Sequence, residues 1–137
     1  MREVYSICGE TVVTDIASNR ISIFNVVDEL TVAQFPAVFP RITVLFGLER
    51  ENNDPEQLEG VMTLTQEDTE ISRWPVNAAF GELPRMRLTL VVNGLVIPSP
   101  GIFKFALSVG DRELASWSFP VTQPELPPPQ VVVAPQG

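Results

Sequence analysis

Alternation with a period of two dominates this chain. Between Arg85 and Val92, the residues Met86, Leu88, Leu90 and Val92 fall on one side, and Arg85, Arg87 and Thr89 on the other. A helix would scatter these two sets around its circumference, whereas a strand separates them. Arg41 to Arg50 behaves alike, with Ile42, Val44, Phe46 and Leu48 opposed to Arg41, Thr43, Leu45 and Glu49. A weaker alternation runs through Leu58, Met62 and Leu64. Apolar and strand-favouring residues fill all three segments, and Pro, Gly, Asn or Asp bound them.

The sharpest local signal lies further on. Phe103, Phe105, Leu107 and Val109 alternate with Lys104, Ala106 and Ser108. After Gly110-Asp111, the residues Ala115, Trp117, Phe119 and Val121 share one face. A two-residue loop that opens on glycine suits a type II′ turn, so this spacing predicts a hairpin. Val4 to Val13 and Ile21 to Val27 are predicted as strands about a turn at Ser18-Asn19-Arg20. A helix competes between Ser18 and Phe35, because Ile21, Phe24, Val27 and Leu30 recur at intervals of three. The crowd of β-branched residues there favours strand.

Prolines punctuate the pattern. Pro36 and Pro40 bracket a predicted turn ahead of the Arg41 strand, and Pro75 marks Ile71 to Phe80 as an edge strand or bulge. Pro98 and Pro100, with Gly101, stop the chain before the hairpin. Beyond Pro120 the composition changes. Pro124, Pro127-Pro128-Pro129 and Pro135 give a tail of polyproline II character. The expected fold is all-β, an immunoglobulin-like antiparallel β-sandwich of about seven to nine strands. It spans residues 1–122, with a proline-rich, flexible tail over 123–137.

A chain of 137 residues is long enough to fold on one core without disulfides or a structural metal. Cys8 is the one cysteine, which rules out an intramolecular bridge and a cysteine metal cluster. Nine basic residues stand against 17 acidic ones, a net charge of −8, and no basic cluster exists. Nucleic acid and anionic membrane surfaces are therefore excluded as expected partners. Charged residues make up only 19% of the chain and hydrophobic ones 45%. Ordinary globular proteins carry about 25% charged residues. Part of this surface is thus neutral or apolar, which points to cover by a protein partner or by self-association as a homo-oligomer. The first ten residues lack an apolar leader and no apolar run spans a bilayer, so the expected compartment is cytoplasmic.

Candidate chemistry is sparse. There is no histidine, the usual base for a serine or cysteine nucleophile. Lys104 and Ser108 share a predicted strand face but lie about 13 Å apart along it, too far for proton transfer. Cys8 has acidic neighbours, Glu3 and Glu10, which argues for a buried thiol rather than a reactive thiolate. Carboxylates gather around Asp54 and Glu56 and around Asp68 and Glu70, in predicted loops. They are candidates for calcium, which takes six to eight oxygens, although neither run has calcium-loop spacing. A carboxylate pair acting on a sugar is a further possibility. Trp117 falls on the core face of the hairpin. Trp74, beside Pro75 on an expected edge strand, is more open to a partner. In the tail, the proline triplet suits a proline-recognising groove, and Val131-Val132-Val133 suits strand addition. No glycine-rich phosphate loop or dinucleotide fingerprint is present, and no cofactor is expected.

The runs Ser22–Leu30, Phe35-Pro36 with the following Arg41 strand, Val92-Asn93-Gly94-Leu95, Pro100–Phe105 and the terminal hairpin together resemble a group of uncharacterised bacterial proteins. These share a domain of unknown function taken to be a β-sandwich. The resemblance covers about residues 3–121; it implies the fold and carries no functional residue. The expected role is a non-catalytic module for protein–protein binding or assembly, using Trp74 and the outward apolar positions Leu45 and Val91. A sandwich binding carbohydrate or calcium at its end loops, or a phage or virion structural protein, is the alternative.

Overall fold

The alternating segments form nine strands among residues 1–125, the part of the chain that the computed structural model describes. They are β1 (Arg2–Thr14), β2 (Ile21–Val26), β3 (Leu30–Thr31), β4 (Ala37–Glu49), β5 (Gln57–Gln66), β6 (Thr69–Ala79), β7 (Arg85–Ile97), β8 (Gly101–Val109) and β9 (Arg112–Thr122). Two sheets result, in the orders β2-β1-β4-β7 and β3-β9-β8-β5-β6. Their facing sides supply the core of a sandwich. Phe46, Phe103, Phe105 and Phe119 are its largest fully buried side chains. Phe119 stacks on Phe103 and Phe105, with ring centroids 5.8 and 5.9 Å away. Burying each such ring stabilises the fold by about 1.5–3 kcal/mol.

The predicted hairpin forms as β8 and β9, with Phe103 opposite Phe119, Phe105 opposite Trp117 and Leu107 opposite Ala115. Gly110 takes φ +60° at the first turn position, the left-handed geometry a type II′ turn requires. No helix occurs between Ser18 and Phe35; β2, β3 and their connections occupy that stretch. Strand pairing departs from the antiparallel expectation at one point. The two residues of β3 run parallel to the end of β9, Leu30 opposite Val121. The proline triplet and Val131-Val132-Val133 lie outside the described residues.

Pro40 is not in a turn. It lies inside β4, between Phe39 and Arg41, whose partners on β7 are Leu95 and Asn93. A proline is tolerated here because β1 pairs with β4 only from Thr43 to Glu49, so that side of β4 is a free edge at Pro40. Across from it, Gly94 adopts φ +68°. The two strands change face together at this point. Ile42, Val44, Leu90 and Val92 face the core on one side of it, while Phe39, Leu95 and Ile97 do so on the other. Val38 and Val96, paired with each other, are thereby turned outward.

The first strand serves two partners. β1 pairs with β4 as far as Gly9, and from Gly9 to Thr14 it pairs with β2. There is no room for a side chain at that crossing: a Cβ on Gly9 would sit 2.6 Å from Ile23 Cγ2. The β1–β2 hairpin then runs back over the outer face of β4. Thr43 Oγ1 donates to the Glu10 carbonyl at 3.0 Å. At the hairpin turn, Asn19 accepts two hydrogen bonds from the Arg87 guanidinium of β7, at 3.3 Å to Oδ1 and 2.7 Å to its carbonyl. Under this cover, Thr43 and Leu45 are fully buried although they point away from the core. Leu45 therefore points outward as alternation predicts but is covered, a correction to its expected role as an exposed apolar position.

Candidate partner-binding edge

A sandwich of open sheets has edges whose backbone donors and acceptors invite further strands, and each edge here meets that hazard differently. β2 is only six residues long, and Asn25 within it takes φ 53°. The free length of β9 is capped from β1: the Glu3 carboxylate accepts the Ser116 N–H at 2.9 Å, and Arg112 donates to the Met1 carbonyl at 3.2 Å. β6 carries Pro75, the Arg73–Glu70 ion pair and Glu70 itself. β7 is the exception. It is thirteen residues long, it ends its sheet among the described residues, and Leu88 to Ile97 contains neither a charge nor a proline.

The sandwich is open between β6 and β7. A groove of about 370 Å³ separates them, lined by Ile71, Trp74, Val92, Leu95, Val96 and Pro98, among others. Trp74 is half-buried at its rim, its ring centroid 6.3 Å from that of Phe105. Pro75 explains why the sequence points to this edge: a residue without N–H is confined to strands with a free side. Val91 stands on the outer face of β7, 46% exposed, with Val96 at 47% and Val38 at 61% beside it. Of the three residues expected to bind a partner, the structure brings Trp74 and Val91 to the open side of the sandwich and buries Leu45.

The carboxylate candidates are not brought together. Asp54 and Glu56 precede β5, and Asp68 and Glu70 follow it, so the ten residues of β5 hold the pairs about 33 Å apart. Among the described residues no group of three or more His, Cys, Asp or Glu side chains gathers to hold a metal ion. The Asp54 carboxylate is engaged within the chain. It accepts from the N-terminal ammonium and from the Glu51 N–H at 2.9 Å, and these hydrogen bonds hold it below its usual pKa. Asp68 sits with Glu67 in the β5–β6 turn, both at positive φ, and Glu70 is paired with Arg73.

The other candidates are structural. Cys8 is fully buried, and loss of water pushes its thiol up to about 12. Lys104 Nζ donates to Glu113 at 2.6 Å. Trp117 packs on the core and donates its indole N–H to the Val27 carbonyl at 2.9 Å. Sequence reasoning missed a larger cleft of about 590 Å³ between Tyr5, Leu48, Phe80, Leu83, Met86 and Arg87. Its walls come from strands far apart in the chain. The one local hint is Gly47, whose missing Cβ leaves space for the Tyr5 ring, 2.4 Å from where that atom would lie.

No curated protein matches the chain significantly. Over nearly all of the sandwich, residues 4–122, the sequence matches one family, and the chain belongs to it: DUF6941, a family of unknown function.

Proposed function

We propose that this domain is a non-catalytic module for protein–protein binding or assembly, and that its contact surface is the open side of the sandwich at β7. The observation that carries this reading is the contrast among edges. β2, β6 and β9 are shortened, charged, proline-bearing or capped, while Leu88 to Ile97 is long, neutral and, among the described residues, unpaired on one side. Val38, Val91 and Val96 extend that neutral strip onto the outer face. A strand from a partner would gain main-chain hydrogen bonds along β7 and side-chain contacts with the valines. Support for the non-catalytic part comes from the sequence, which has no histidine and a single cysteine, buried in the core.

Site-specific photo-crosslinking in the producing cells tests this. A photoreactive residue at Val91 is expected to give a discrete protein adduct, and one at Ser118, exposed on the other sheet, is expected to give none. Absence of any adduct at Val91 removes the reading. A second reading, a ligand-binding sandwich, is favoured by the 590 Å³ cleft, with its apolar walls and the Arg87 guanidinium and Tyr5 ring. A rise in melting temperature with a glycan panel would support it, and a flat response would remove it.

A further inference from the structure

We infer that the partner of β7 is β7 of a second copy of this chain, paired antiparallel about a two-fold axis with Val91 opposite the partner's Val96. This rests on the reading of β7 as the contact edge and names its occupant.

The first argument is a matching of faces. Residues directly opposite one another in an antiparallel pair project to the same side of the sheet. β7 is not uniform in this respect, because its alternation changes face at Asn93-Gly94. Leu88 and Val92 are buried and Leu90 half-buried before it, Leu95 and Ile97 are buried after it, and Val91 and Val96 are exposed. A two-fold axis passing through any single residue from Val91 to Leu95 would set core-facing positions of one copy against outward positions of the other, and one through Leu88, Thr89 or Leu90 would bring Arg87 into the paired stretch. An axis between Asn93 and Gly94 does not. It pairs Val92 with Leu95 and Leu90 with Ile97 on the core side, and Val91 with Val96 on the outer side. The kink that would spoil pairing with an ordinary straight strand falls opposite the same kink in the partner. Among the pairings that span the kink, this register alone sets kink against kink.

The second argument is charge. Two molecules of net charge −8 repel unless the approach is made through neutral surface, and Leu88 to Ile97 is neutral. At the ends, Arg85 and Arg87 of each copy fall beyond Ile97 of the partner, outside the paired stretch. The antiparallel sense also keeps the arginines of the two copies apart.

Light scattering on the full chain across a dilution series tests the inference. The expected result is a reversible dimer that Val91→Lys converts to monomer. Val13→Lys, an equally exposed valine on the β1–β2 hairpin, leaves the dimer intact. Because Val91 projects to solvent, retention of the fold in Val91→Lys is checked by an unchanged circular dichroism spectrum. The register is read by mixing Val91→Cys with Val96→Cys under mild oxidation. The mixture is expected to form a crosslinked dimer. Neither variant alone does so, because like positions lie five residues, about 17 Å, apart along the pair. Cys8 is buried and does not compete. A monomer at every concentration, or a dimer indifferent to Val91→Lys, overturns the self-pairing. Crosslinking at Val91 separates that failure from failure of the edge itself. An adduct with a different protein keeps the edge and removes the second copy; no adduct removes both.

Discussion

At the scale of single residues, Cys8 shows how burial decides chemistry. A thiol becomes a nucleophile only as thiolate, and β1 places this one on the core side, where no charged partner repays the loss of hydration. The expected outcome is that Cys8 in the native protein does not react with a small aromatic disulfide at pH 7.5 and reacts fully in urea, followed by absorbance. The same burial makes stability depend on alkali. With the folded thiol raised from 9.0 to about 12, the buried neutral form contributes its full stability below about pH 9. That contribution is lost as the pH rises toward the folded value. Unfolding free energy is expected to fall more steeply above pH 9 in the native chain than in Cys8→Ala, as measured by urea titration.

At the scale of elements, local signals and non-local ones part company. The β8–β9 hairpin was legible but for the register shift after Leu107, because alternation and turn chemistry both lie within neighbouring residues and Gly110 is where the turn needs it. Pro75 likewise announced an edge strand. Leu45 was misread because alternation reports which side of a sheet a residue faces, not whether that side is covered. Its cover, the β1–β2 hairpin, is supplied from residues some thirty positions earlier and held by Arg87 from a third strand. The face change at Pro40 and Gly94 was hidden for the same reason: Pro40 reads as a turn residue by itself, and the glycine with which it forms one paired kink lies 54 positions away. Two substitutions test the cover. Leu45→Ala is expected to cost about 2–5 kcal/mol, as at a core site, rather than the few tenths of an exposed position. Arg87→Ala is expected to leave the two-sheet core intact while hydrogen exchange accelerates at the turn amides around Asn19.

At the scale of the whole molecule, the low charge shows as exposed apolar side chains in several places, among them Val38, Val91 and Val96 around β7. If β7 pairs with itself, stability is linked to concentration by mass action. The melting midpoint of the native chain is expected to rise with protein concentration, and that of Val91→Lys to stay constant, in differential scanning calorimetry. The positions of Trp74 on an edge strand and of Val91 on an outer face could be read from proline and alternation, but the groove beside Trp74 joins strands of different sheets, which no local pattern records. The capping of β9 by β1 carries a consequence for biosynthesis. Glu3 and Ser116 are 113 positions apart, so a ribosome adding about 5–20 residues per second makes the first strand about 6–23 s before the last one it protects. Throughout that interval the nascent chain holds aggregation-prone strands that cannot yet close into a sandwich. Closure of the sandwich thus waits for β9 to leave the ribosome, long after β1 has done so.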